Sequence, residues 1–223
     1  MTVLQQLADV ESSDSFSNRM RSARFEKFLG LASTLPKPIR ILDIGGTNRF
    51  WEMRKIAGND DFQITLLNLQ AEQQKHSNIT PSAGDATHMP EYEDNSFDVA
   101  FSNSVIEHLF TYENQQKMAM EVQRVAKCYW VQTPNFWFPI EPHFHVPGWQ
   151  WMPKSIRIAL LRRFRCGWRG PCKNRDEAKA LVDEVRLMQK NEIVSCFSNG
   201  TVWAEKFYGL TKSWVAYGGF PSN

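Results

Sequence analysis

The sequence has no apolar run long enough to cross a bilayer and no apolar segment of the kind that heads a secretory signal, so a cytoplasmic protein is expected. Its four cysteines, Cys128, Cys166, Cys172 and Cys196, form no Cys-x-x-Cys pair and have no histidine at zinc-finger spacing. They read as reduced thiols. Internal repeats and low-complexity tracts are absent too. From Lys154 to Arg175 there is no acid, while Lys154, Arg157, Arg162, Arg163, Arg165, Arg169, Lys173 and Arg175 are all basic. Without those eight, 18 basic residues face 24 acidic ones, so one basic segment sits on an acidic body. Gly45-Gly46 is followed by Thr47, Asn48, Arg49 and Phe50, so the Gly-x-Gly-x-x-Gly of a dinucleotide site is missing. That disfavours a nucleotide-dependent oxidoreductase.

What is present is enough for one α/β domain: 223 residues, 42% of them hydrophobic. The organising stretch is Arg40 to Trp51. Ile41, Leu42 and Ile44 read as a buried parallel strand, and Gly45-Gly46 lets the backbone turn tightly against a ligand. Asn48 or Thr47 can cap a following helix with Phe50, Met53, Ile56 and Ala57 inward. Such a strand, turn and helix form the ligand corner of an open α/β sheet. Asp43 is decisive there. A carboxylate would repel a pyrophosphate but suits a ligand carrying a cationic amino group.

Residues 1–14 are polar and aperiodic and read as a mobile N-terminus, with one domain over 15–223. A helix is predicted from Ser15 or Ser17 to Leu31, with Phe16, Met20, Phe28 and Leu31 inward and Arg19, Arg21 and Arg24 on a solvated face. A second strand spans Phe62 to Asn68 and a fourth Phe97 to Phe101. A helix is expected over Thr111 to Lys127 and a fifth strand over Cys128 to Thr133. Asn174 caps a helix to Gln189 that carries an apolar stripe, and Thr201–Phe207 with Lys212–Tyr217 reads as a terminal hairpin. Residues 134–175 form an aromatic and then basic insertion. In it Ile156, Leu160 and Phe164 mark a narrow apolar stripe.

The Asp43–Gly45 corner, Gly84-Asp85-Ala86 and the run Ser96-Phe97-Asp98-Val99-Ala100 to Glu107-His108-Leu109 occur in that order. Together they resemble the class I S-adenosylmethionine (SAM) dependent methyltransferases, in particular the type 11-like small-molecule group. Thr47 and Arg49 replace two glycines of that family's Asp-x-Gly-x-Gly-x-Gly motif. The resemblance implies a Rossmann-like fold: a mostly parallel seven-stranded sheet, helices on both faces and an antiparallel last strand. It also implies SAM as cofactor, with S-adenosylhomocysteine as product. The matching positions make Asp43, Gly45, Gly46, Asn68, Leu69, Asp85, Ala86, Ser102 and Asn103 the expected cofactor contacts. Asn68 stands where the family normally has an acid for the ribose.

Methyl transfer to a hydroxyl needs alignment and removal of a proton. His143 is the first candidate base, with Glu141 to orient it and His145 and His108 behind it; pinning of the loop by Glu141-Pro142-His143 is the competing reading. No metal is expected, because acids after the fourth and fifth strands look sparse. The acceptor is expected to be a small molecule, such as a sugar or natural-product hydroxyl, possessing in one version a phosphate link that the basic segment attracts. Contact of that segment with an anionic lipid surface, or pairing with the acidic body, are its alternatives. Nucleic acid is not expected, since no RNA-binding motif accompanies the charge. A degenerate methyltransferase fold acting as a binding subunit remains the non-enzymatic reading.

Overall fold

The computed structural model describes residues 16–221. Helix α1 (Phe16–Ala32) precedes β1 (Ile39–Ile44), α2 (Asn48–Met53), β2 (Phe62–Asn68), β3 (Ile79–Ala83) and β4 (Phe97–Asn103). Then come α3 (Tyr112–Val125), β5 (Ala126–Pro134), α4 (Lys154–Arg163), α5 (Arg175–Asp183), α6 (Lys190–Cys196), β6 (Thr201–Phe207) and β7 (Leu210–Gly218). Short 3₁₀ turns lie at Ile106–His108 and Trp149–Trp151. The expected mobile segment, residues 1–14, lies outside the described residues.

The sheet runs β3-β2-β1-β4-β5-β7-β6, with β7 antiparallel to both its neighbours and the remaining pairs parallel. This is the expected mostly parallel, seven-stranded Rossmann-like sheet, and β1 lies inside it with Ile39, Ile41, Leu42 and Ile44 buried. Helices cover the two faces. Phe25 and Phe28 of α1 and Trp51 of α2 pack with Ile41, Ile64, Val99 and Phe101 on one side. Met118 and Val122 of α3 and Ile193 of α6 pack with Leu42, Ile44 and Ala100 on the other. A third cluster joins Phe144 and Trp149, stacked at 4.2 Å, to Ile158, Leu161, Ala178 and Val182 of α4 and α5.

Several local expectations change. Of the two expected caps for α2, Thr47 serves, accepting from the Phe50 amide at 3.2 Å, while Asn48 becomes the first helical residue. Because α2 ends at Met53, Ile56 and Ala57 lie beyond it, and its buried apolar residue is Trp51. Strand β3 carries Pro81, which an edge strand tolerates because its lost donor interrupts no second ladder. The helix expected over residues 175–189 stops at Asp183, and α6 follows after a break. In α4 the buried residues are Ile158 and Leu161, while Ile156 and Phe164 face solvent.

Helix α1 is fastened to the far edge of the sheet by a buried ion pair. Arg24 Nη1 donates to Glu205 Oε2 of β6 at 3.0 Å, and the Ser213 hydroxyl donates to the same oxygen at 2.5 Å. Removing one partner leaves an uncompensated buried charge. Glu205→Ala is expected to lower unfolding free energy by about 3–5 kcal/mol in urea titrations, and pairing it with Arg24→Leu should recover much of that loss.

Candidate cofactor and acceptor site

The chain leaves β1 through Gly45, which has φ +73°, and Gly46. A Cβ on Gly46 would fall 1.7 Å from Asp43 Oδ2, so the carboxylate sits directly beneath the turn and no side chain fits there. Asp43 is 2% exposed and accepts from Trp51 Nε1 at 2.7 Å. Burial pushes its carboxyl up to about 7, against the opposing effect of that indole bond.

A cavity of about 230 Å³ opens over this corner. Asp43, Gly45, Gly46 and Asn103 line it, and so do Arg21, Arg24 and Arg54. These arginines are where the solvated-face expectation fails: Arg24 is buried, and Arg21 turns inward beside it. Arg21 is held down at about 10, first by burial and then by the charges of Arg24 and Arg54. Its Nη1 is buried without a hydrogen-bond partner, as is Asn103 Oδ1. One wall of the cavity therefore offers an acid, and another offers guanidinium donors in need of an acceptor.

The other expected contacts are spread more widely. Asn68 Nδ2 donates to the Gly46 carbonyl at 2.9 Å, steadying the turn. Leu69 is 83% exposed at the end of β2. Asp85 is exposed and accepts from the amide and hydroxyl of Thr87, both at 2.8 Å, with Ala86 half-buried beside it. Ser102 is fully buried and its hydroxyl donates to the Ile44 carbonyl at 3.3 Å, so it ties β4 to β1 and presents no surface to a ligand.

A second cavity of about 90 Å³ shares Arg21, Arg24 and Ser104 with the first. Gln132, Ile140, Pro142, Glu205 and Lys212 also line it. Lys212 is lowered, by burial foremost and by the charges of Arg24 and Arg21, with Glu205 opposing. Its ammonium donates to the Met20 sulfur at 3.5 Å.

The histidines gather elsewhere. His143 Nδ1 bonds Glu141 Oε1, and Glu141 Oε2 also accepts from the amides of His143 and Phe144, both at 2.8 Å. His143 Nε2 lies 3.1 Å from His108 Nε2, and His108 Nδ1 lies 3.5 Å from Glu184 Oε1. Burial lowers His143, but the bond and charge of Glu141 outweigh it and the net shift is upward. His108 is pulled down to about 4 by burial and then by the His143 charge. His145 stands apart at φ +52°, its ring 5.8 Å from that of Trp168. Neither His108 nor His143 lines the two cavities. Nor are acids sparse here: Glu107, Glu141 and Glu184 surround the pair. No single sequence spacing shows this, because the members come from three separate segments, 107–108, 141–143 and 184.

The basic segment divides. Lys154 pairs with Asp183, and Arg169 makes a two-bond contact with Glu184, whereas Arg162, Arg163 and Arg165 are exposed beside Phe164.

A methyltransferase domain family matches residues 45–128. Over 66 residues the chain is 37% identical to two uncharacterised proteins of Mycobacterium tuberculosis, strains CDC 1551 and H37Rv, covering 30% of this chain and 22% of each relative. The chain thus spans about a fifth of the length of the curated relatives it matches. Among solved structures it superposes on the CurJ carbon methyltransferase with a TM-score of 0.56 and 16% identity, over 96% of this chain and 56% of that one. A chain of the complex between the Haloferax volcanii Trm112 methyltransferase activator and a methyltransferase gives 0.50 and 9%, over 100% and 99%. At such identities the superpositions show the fold. The domain match over residues 45–128 and the fold both support a class I SAM-dependent methyltransferase, with S-adenosylmethionine as the cofactor. No helix among the described residues is long and apolar enough to cross a membrane.

Asp43 also sets a pH dependence. Its folded value, about 7, lies above the unfolded 3.8, so it favours the folded state while protonated. That contribution is complete below about pH 4 and lost as pH rises through about 7. In urea unfolding without ligand, Asp43→Asn should therefore gain stability relative to wild type between pH 5 and 8. Parallel curves would show that Asp43 does not titrate there.

Proposed function

We propose that this chain transfers the methyl group of SAM to a hydroxyl of a small molecule such as a sugar or natural-product intermediate. One observation carries the reading: a cavity with a carboxylate at one wall and unpartnered arginine donors at another, opening beside a smaller polar cavity. The methionyl end of SAM is a zwitterion. Its ammonium suits Asp43, and its carboxylate suits Arg21, which brings a planar fork of donors. The glycine turn admits close approach because no Cβ intervenes. SAM supplies an activated methyl whose loss neutralises the sulfonium. The protein's part is alignment and proton removal.

The second cavity is the acceptor's place in this reading, its amide, carboxylate and ammonium lining suiting a polyhydroxylated molecule. Both nitrogens of His143 are occupied, so His143, His108 and Glu141 shape the loop wall, and the proton passes to Lys212. Glu205 is committed to Arg24 and Ser213, whereas burial lowers Lys212, which favours the neutral amine that a base needs. Exposed Arg162, Arg163 and Arg165 would favour an anionic acceptor or surface.

Calorimetry tests the cofactor half. Arg21→Gln and Asp43→Asn should each weaken SAM by about 1.5–3 kcal/mol, or about 10–100-fold, and unchanged affinity in both would sink the assignment. The acceptor half is tested by incubating protein, methyl-labelled SAM and a panel of hydroxylated acceptors, with mass spectrometry of the products. With an accepted substrate, Lys212→Met should lower turnover about 10²–10⁴-fold while SAM affinity holds. A loss of that size in His143→Ala, with Lys212→Met unaffected, would return the base role to His143.

A further inference from the structure

The histidine pair poses a chemical problem that its neighbours make acute. Each Nδ1 faces a carboxylate, Glu141 for His143 and Glu184 for His108, and an ionised carboxylate only accepts. The bond to Glu141 puts the hydrogen of His143 on Nδ1, and the charge of Glu184 favours the same for His108. Two neutral rings would then aim bare Nε2 lone pairs at one another across 3.1 Å, which is repulsive. A cation has to lie between them. A proton would relieve the rings but leave Glu107, whose side chain is fully buried and whose Oε1 has no hydrogen-bond partner. Its other oxygen is occupied by the Thr133 hydroxyl at 3.0 Å. One donor atom from each of Glu107, His108 and His143 falls within 4.8 Å of the others.

We propose that Glu107, His108 and His143 bind one divalent transition-metal ion. Two imidazoles and a carboxylate are a donor set for zinc and its borderline neighbours rather than for calcium or magnesium. Bonds of about 2.0–2.1 Å to nitrogens 3.1 Å apart place them at an angle of about 100° at the ion, close to tetrahedral. The carboxylates behind both Nδ1 atoms are the outer partners that fix the tautomer and ring orientation of metal-bound histidines. Glu184 is itself held by Arg169, and Glu141 by two backbone amides, so the orienting groups are anchored in turn. Three protein donors leave a further position for water or an oxygen ligand. The ion would also clip the 141–145 loop to the 3₁₀ turn that follows β4, since His143 comes from one and His108 from the other. This site does not depend on the methyl-transfer reading.

The test uses the full chain, stripped with chelator and titrated with Zn²⁺ in competition with a chromophoric chelator, with Co²⁺ as spectroscopic probe. One ion per chain is expected, with visible Co²⁺ bands of a four-coordinate nitrogen and oxygen site. Tm should rise by about 5–10 °C at zinc a hundredfold above Kd. Glu107→Gln should weaken binding at least tenfold, and His108→Ala with His143→Ala should abolish it, whereas His145→Ala and His76→Ala should bind as wild type. Thermal unfolding and SAM calorimetry establish that the variants are folded. Stoichiometry near zero in the wild-type chain overturns the proposal without reference to any variant. Zinc affinity retained within threefold in the double variant also overturns it, because the ion would then be bound elsewhere.

Discussion

Asp43 beneath the Gly45–Gly46 turn is the constraint on which the rest of the site depends. A carboxylate removed from water costs free energy unless it is protonated, bonded or paired. Here the Trp51 indole supplies one bond, and that fixes the short helix α2 against β1. Gly46 is required because the carboxylate occupies the space of its missing Cβ. The aromatic packing of Trp51 with Phe25, Phe50 and Phe101 then seats α1 over the same corner, which brings Arg21 and Arg24 to the cavity. One buried acid thus connects the glycine turn, the first two helices and the guanidinium cluster.

The arginines show why charge in a sequence says little until burial is known. Arg21 and Arg24 lie on a helix whose polar residues look like an ordinary solvated face, yet both turn toward the sheet. Arg24 finds Glu205, 181 residues away. The conspicuous basic segment behaves oppositely. Its members largely face solvent, and two of them pair with Asp183 and Glu184 at the end of α5. Neither arrangement is local in sequence, so neither is visible until the chain is folded.

What could be read from the residues was periodic or local. β2 and β6 fall where their apolar runs and flanking turns put them, and the parallel order with an antiparallel last strand follows the family resemblance. Strand β3 escaped because Pro81 and its two polar neighbours mask an edge strand that needs one ladder rather than two. Trp51 escaped because a helix of six residues has too few turns to display a stripe. Ser102 was read as a ligand contact from its place at a strand end, but β4 continues to Asn103 and keeps its hydroxyl inside the sheet.

The acceptor side shows the same limit most clearly. Glu141 and His143 lie two residues apart, so their pairing was legible, and a hydrogen-bonded carboxylate and imidazole is the ordinary signature of a catalytic base. A base, however, must present a lone pair to the proton it takes. His143 turns that nitrogen toward His108 in the 3₁₀ turn after β4 instead. The pair is therefore better understood by asking what sits between two converging donors than by asking which of them attacks a proton. The groups that do face the polar cavity, Lys212 and Gln132, come from β7 and β5, the strands that pair beside it. Chemistry at this end of the sheet is divided between two places. One is a wall of oriented imidazoles and carboxylates that positions the loop, and the other is a small polar cavity next to the larger one over Asp43.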